Sequence, residues 1–164
     1  MLKLSKLADY GIVVMTYLAQ DPEQVRAAHD VATATRVALP TVSKVLKVLS
    51  RDALLASVRG ARGGYRLARP PAAISVAQII HALEGPLAMT ECTSVAGACT
   101  QEPYCAVRGN WQRINDTIYR ALAQVTLADM VAPPAGQVSA VWVSHGATKP
   151  GLPDADCHQL MGSR

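Results

Sequence analysis

Three of the four cysteines fall within fourteen residues, as Cys92-Thr-Ser-Val-Ala-Gly-Ala-Cys99-Thr-Gln-Glu-Pro-Tyr-Cys105. Thiolates are soft, strongly donating ligands, and intervening segments of six and five residues with Gly97 and Pro103 let three sulfurs converge without helical constraint. Structural zinc prefers two tight cysteine pairs, which this array lacks, and a C-x-x-C redox pair is also missing. The chemistry that remains is an iron–sulfur cluster short of one protein ligand. A carboxylate, a histidine, a partner subunit, or an exogenous thiol or water must complete it. Such a centre is open to oxygen, nitric oxide and loss of iron, which suits a sensor better than an electron carrier. The plainer alternative is a set of structural or merely redox-sensitive thiols. His81 has no cysteine at ligand spacing and reads as a packing or surface histidine, while His145, Cys157 and His158 lie in a segment without periodicity.

The elements that would position this loop begin at the N-terminus. Over residues 4–19, Leu4, Leu7, Gly11, Val14, Met15 and Leu18 share one helical face, with Lys6, Asp9 and Thr16 away from it. A short helix from Ala27 to Thr35 and a break lead to a second, opened by Pro40, whose missing N–H costs nothing in a first turn. In that helix Val42, Val45, Leu46 and Leu49 form a core stripe, opposite Ser43, Lys44, Lys47 and Arg51. This is the pattern of a helix-turn-helix with a polar, basic second helix. Residues 55–59 and 65–67 then flank Gly60-Ala61-Arg62-Gly63-Gly64, which predicts a β-hairpin. With Arg59, Arg62 and Arg66 beside its glycines, that hairpin has the makings of a wing that lies along phosphates or enters a minor groove.

After the connector at 68–72, Ser75 and Gln78 form a capping-box signature for a helix through Leu83, stopped by Glu84-Gly85-Pro86. Further on, Val107, Trp111, Ile114, Ile118, Ala121 and Val125 recur at alternating four- and three-residue steps. A stripe of this kind calls for a partner helix and predicts a homodimer, the alternative being packing onto the winged unit alone. Beyond Met130 the chain turns rich in proline and glycine, and a disordered tail is expected.

Bulk properties agree with this layout. At 164 residues and 50% hydrophobic composition the chain can bury one modest core. Residues 1–70 carry 11 Lys and Arg against 5 Asp and Glu, whereas residues 71–164 carry 5 against 7. The positive half suits a polyanion such as double-stranded DNA. No apolar run approaches the roughly 20 residues of a membrane span, and the opening MLKLSKLADYG has no apolar core followed by a cleavage site, so a cytoplasmic protein is expected.

Taken together, Leu2 to Gly11, the wing residues Ser57-Val58-Arg59-Gly60 and Gly63-Gly64-Tyr65, the three-cysteine loop and Val125-Thr126-Leu127-Ala128 resemble the IscR-type (Rrf-two) family of winged-helix iron–sulfur transcription regulators, and within it the regulators of SUF-system cluster assembly. The resemblance covers about residues 1–131. It implies a dimer that represses or activates genes of cluster assembly or stress response. It also implies Cys92, Cys99 and Cys105 as ligands of a 2Fe-2S or 4Fe-4S cluster. Thr41, Ser43, Lys44, Lys47 and Arg51 then belong to the DNA-reading helix, and Arg59 and Arg62 to the wing. Two departures stand out. The first gap between cysteines is one residue longer than in IscR-type arrays, and Arg108 occupies the position of their histidine ligand. A guanidinium stays protonated and cannot ligate iron. Asp9 matches the position from which NsrR-type members contribute an acidic ligand across the dimer, which makes it the candidate for the missing one.

The expectation is therefore a mainly α protein: a winged helix-turn-helix domain over residues 1–70, a cluster-binding loop and long dimerisation helix over 71–131, and a tail over 132–164. Its expected function is iron–sulfur-dependent regulation, as a repressor, of cluster-assembly genes. Alternatives are a nitric-oxide or redox sensor of the same fold with another regulon, and a cluster-carrying redox protein without specific DNA binding. An enzyme is not expected, since no nucleophile–base constellation or cofactor-binding loop is present.

Overall fold

Helix α1 (Lys6–Ala19) starts where Ser5 caps it, its Oγ accepting from the Ala8 N–H at 3.2 Å. The computed structural model describes residues 4–60, 62–94, 97 and 99–132; the expected tail from residue 133 on, with His145, Cys157 and His158, lies outside them. Leu4, expected on the buried face, precedes the helix and is 40% exposed, because the Ser5 cap ends the helical periodicity before it. Thr16, expected away from the core, is half-buried and donates to the Ile12 carbonyl at 2.8 Å. The Ser5 N–H donates to the Glu84 carboxylate at 2.7 Å, tying this end of α1 to a helix almost eighty residues later.

Helix α2 (Ala28–Thr35) ends on Arg36, which takes left-handed backbone angles (φ 56°, ψ 27°) and so makes the break. Helix α3 (Leu39–Arg51) follows at once, with Pro40 in its first turn and Val42, Val45, Leu46 and Leu49 fully buried. Strands β1 (Leu55–Val58) and β2 (Gly64–Leu67) pair antiparallel, Leu55 opposite Leu67 and Val58 opposite Gly64. They form a two-stranded wing directly after the helix-turn-helix. The fold is thus mainly helical, as expected.

The core is continuous across Pro70. Helix α4 (Val76–Glu84) carries the full Ser75–Gln78 capping box and packs on α1 and α3, with Ile74 and Ile79 in the same buried cluster as Val14, Leu18 and Leu46. Short helix α5 (Glu91–Ser94) and the long α6 (Arg108–Gln124) follow, and α6 rests against α4 and α5 without burying any residue completely. The chain then returns. Val76 N–H donates to Val125 C=O at 2.9 Å and Leu127 N–H to Ile74 C=O at 2.8 Å. A second capping box, Thr126 with Asp129, starts α7 (Leu127–Val131), and the two hydrogen bonds from Thr126 hold the Asp129 carboxyl below its ordinary pKa.

Leu127 is 0% exposed in the shared core and anchors the C-terminal end of α6 to the winged domain. Leu127→Ala is therefore expected to lower folding stability by about 2–5 kcal/mol, read as a lower urea midpoint with an unchanged m-value.

Candidate nucleic-acid interface and cysteine loop

Because α3 turns its four aliphatic side chains inward, its remaining positions face out in order. Lys44, Lys47 and Arg51, spaced by three and four residues, are exposed along one side, while Thr41 and Ser43 are half-buried near its first turn. Arg59 and Arg62 are exposed at the wing tip. There Gly60 takes φ 120°, a value that favours glycine, and its carbonyl accepts from the Gly63 N–H at 2.9 Å. Recognition helix and wing tip thus carry five exposed cations. Arg66 has a different role: its guanidinium pairs with Glu23 at 3.2 Å, outside the helix-turn-helix.

Arg26, absent from the sequence reading, holds the wing. Its backbone exchanges two 2.9 Å hydrogen bonds with Tyr65, adding a third, one-residue rung to the two-stranded sheet. Gly64 is required beside it, since a Cβ there would collide with the Arg26 carbonyl. The Arg26 guanidinium lies 4.7 Å from the centroid of the Tyr17 ring and donates to the Tyr17 hydroxyl at 2.8 Å. Helix α1, the α1–α2 connection and the wing are joined through this one residue, its side chain on Tyr17 and its backbone on Tyr65. Nothing in the local sequence marks it, because its partners lie far along the chain on both sides.

The three cysteines occupy the segment that joins α4 to α6. Cys92 is on α5, and Cys99 and Cys105 are free, half-buried thiols. Glu102 is the hub between the latter two. Its N–H donates to the Cys99 carbonyl at 3.1 Å and its own carbonyl accepts from the Cys105 N–H at 3.4 Å. Its side chain, 8% exposed, places one oxygen 2.6 Å from an Arg108 Nη and takes the Gly97 N–H on the other at 2.7 Å. Arg108 stands at the start of α6, and its N–H returns to the Cys105 carbonyl at 3.3 Å. Neither Glu102 nor this use of Arg108 was anticipated. The signal that could have found them was a carboxylate midway between two cysteines with an arginine one and a half turns on.

Asp9 lies on the exposed side of α1. Among the described residues no three His, Cys, Asp or Glu side chains converge, so one chain does not bring Asp9 to Cys99 and Cys105. A cleft of about 500 Å³ links the two regions: Asp52 at the end of α3 and Thr93 beside Cys92 both line it, with His81, Asp116 and Tyr119 between them.

A helix-turn-helix followed at once by a two-stranded wing, with exposed cations on both, defines a winged-helix DNA-binding protein. The sequence profile of the Rrf2 family, described as an iron-dependent transcriptional regulator, matches residues 4–133, and the chain belongs to that family of transcription regulators rather than to any enzyme class. It is 30% identical over 131 residues to Protein rrf2 of Nitratidesulfovibrio vulgaris, covering 79% of this chain and 87% of that one. It is 27% identical over 132 residues to the HTH-type transcriptional regulator NsrR of Halalkalibacterium halodurans, covering 79% and 90%. Among solved structures it is similar to T. potens IscR (TM-score 0.63, 32% identity, 85% of this chain and 94% of that one). It is also similar to CymR, the global cysteine regulator of B. subtilis (TM-score 0.63, 30% identity, 80% and 97%). No helix among the described residues is long and apolar enough to cross a membrane.

Because Arg26 clamps the wing, Arg26→Met is expected to destabilise the fold by about 1–3 kcal/mol, the range for a hydrogen bond from a charged donor with a ring contact. Amide exchange at Tyr65 should accelerate more than at Leu46; equal acceleration at both would remove the wing from its role.

Proposed function

We propose that this chain is an iron–sulfur-dependent, cytoplasmic repressor of iron–sulfur cluster assembly genes of the SUF type, acting as a homodimer on a double-stranded DNA operator. The observation that carries it is the cysteine segment itself. Two free, half-buried thiols and a third cysteine on α5 lie in the connection between the winged core and α6, and Glu102 within it is paired with the Arg108 guanidinium. The donor set fits an anionic cluster: three cysteines in one segment, and at the start of α6 the buried Nε of Arg108, which has no acceptor among the described residues. Cys92, Cys99 and Cys105 would hold a 2Fe-2S or 4Fe-4S cluster. When bound, that cluster supplies a centre sensitive to oxygen, nitric oxide and iron supply. Asp9 of a second copy is the proposed fourth ligand; its exposed position on α1 leaves it free to reach outward.

The dimer reading rests on α6. Of the stripe read from the sequence, Trp111 and Ile118 are half-buried against the chain's own elements, whereas Val107, Ile114, Ala121 and Val125 are exposed. Three of these recur at heptad spacing, which suits a matching helix from a second copy. In such a dimer the cysteine segment sets where α6 sits on α4, and hence the separation of the two recognition helices. Half-sites lie about one turn of DNA apart, so a small displacement removes one helix from its groove. A coupling of about 1–3 kcal/mol suffices to change affinity roughly 5–150-fold. Thr41, Ser43, Lys44 and the wing's Arg62 are the proposed base-edge readers; Lys47, Arg51 and Arg59 are proposed phosphate contacts.

A second reading, a nitric-oxide or redox sensor with another regulon, draws on the 27% identity to an NsrR. Promoter occupancy under iron starvation and under nitric oxide separates the two.

Protein purified without oxygen should show the visible absorption and Mössbauer signature of a cluster, and its DNA affinity should track cluster content. Colourless, iron-free protein that binds its own upstream region equally well would overturn the proposal. Asp9→Ala should alter the cluster spectrum or shorten its lifetime in air. Lys47→Ala should weaken binding to all sequences alike and reduce the slope of log K against log salt by about 0.9, whereas Lys44→Ala should change sequence preference.

A further inference from the structure

Arg108 stands where IscR-type arrays place a ligand, and its chemistry forbids that role. The structure shows what it does instead. Every polar group of Glu102 is committed to the cysteine segment: backbone N–H to Cys99, backbone carbonyl to Cys105, one carboxylate oxygen to Gly97 and the other to Arg108. With the Glu102 side chain only 8% exposed, its charge must be paired to stay buried, and Arg108 is the cation that pairs it. Gly97, held at φ 81°, is thereby pinned between the first and second cysteines. The remaining donor of Arg108, Nε, is buried with no acceptor among the described residues. The other such donor, Nε of Arg26, belongs to a guanidinium lying over the Tyr17 ring; among the described residues Arg108 has no ring beneath it.

We propose that Glu102 and Arg108 are positioning residues of the cluster site: Glu102 holds the loop between Cys92 and Cys105 in its ligating shape, and Arg108 both anchors Glu102 and presents Nε–H and positive charge to the sulfur-rich anion those cysteines bind. This rests on the proposed cluster. Glu102 is a latch rather than a ligand, since both its oxygens are engaged and it does not converge with Cys99 and Cys105 as a metal-holding group. Holding Gly97, Cys99 and Cys105 around Glu102 before a cluster arrives means that less ordering entropy is lost on loading. The unpartnered Nε–H of Arg108, three residues past Cys105, is a hydrogen-bond donor of the kind that tunes such centres.

The test uses the full-length protein. In metal-free, reduced protein, alkylation of Cys99 and Cys105 is followed by mass spectrometry in the wild type, Glu102→Ala, Arg108→Met and Arg108→Lys. Glu102→Ala and Arg108→Met should speed labelling several-fold, and Arg108→Lys, which keeps the charge, should stay near the wild type. After anaerobic reconstitution with iron and sulfide, Glu102→Ala should hold the cluster about 10–100-fold more weakly, the usual cost of losing an outer-shell partner. Arg108→Lys should load but show a shifted visible spectrum, because the Nε–H is lost. Thermal unfolding midpoints should stay near the wild type in Arg108→Lys and fall most in Arg108→Met, which leaves the Glu102 charge unpaired; should Glu102→Ala or Arg108→Met fail to fold, the remaining variants decide. Equal labelling rates in all four proteins overturn the latch. A wild type that takes up no cluster overturns the cofactor reading and Arg108's part in it, while the labelling rates still decide whether Glu102 orders the loop.

Discussion

Helix α3 can show Lys44, Lys47 and Arg51 to a phosphate backbone only because Val42, Val45, Leu46 and Leu49 are wholly withdrawn from water. Each such burial contributes about 1.5–3 kcal/mol, and together they fix the rotation of the helix about its own axis. The cations at its surface could not overcome that: exposed charges gain little in high dielectric. The wing inherits its place from the same core, since Leu55 and Leu67, paired across the hairpin, are both buried in it. Arg26 then adds a polar clamp at the wing's outer edge, where apolar contact gives out.

The cysteine segment lies beyond this core and is organised differently. Its half-buried thiols and exposed Tyr104 contribute little apolar burial, and backbone hydrogen bonds around one carboxylate take its place. Such a segment opens more readily than the helices on either side of it. The winged core and the cysteine segment are thus held by two kinds of interaction, one entropic and unspecific, the other directional.

Two features relate the segment to α3. Its ends are fixed, by α4 in the core on one side and by α6 on the other, and α6 is secured at its far end by Leu127. One open cleft is lined both by Asp52, at the end of the recognition helix, and by Thr93, the neighbour of Cys92.

Much of this was legible in the residues alone. The periodicities of α1 and α3, the Ser75–Gln78 capping box, the glycine tip of the wing and the cysteine array each follow from local rules: which side chains avoid water, which cap an N-terminus, which backbone accepts a positive φ. The tertiary structure decided whatever depends on residues distant in sequence. Only the packed chain shows that Arg66 is taken by Glu23, that Arg26 joins Tyr17 to Tyr65, and that Trp111 and Ile118 of the α6 stripe meet their own chain while its other four residues are left exposed. It likewise showed that Arg108, placed by sequence at a ligand position, is the counter-ion of a buried Glu102. Local pattern records the cost of exposing a side chain; a charged group's partner is set by which chain segments the core brings within reach, and no spacing in the sequence encodes that.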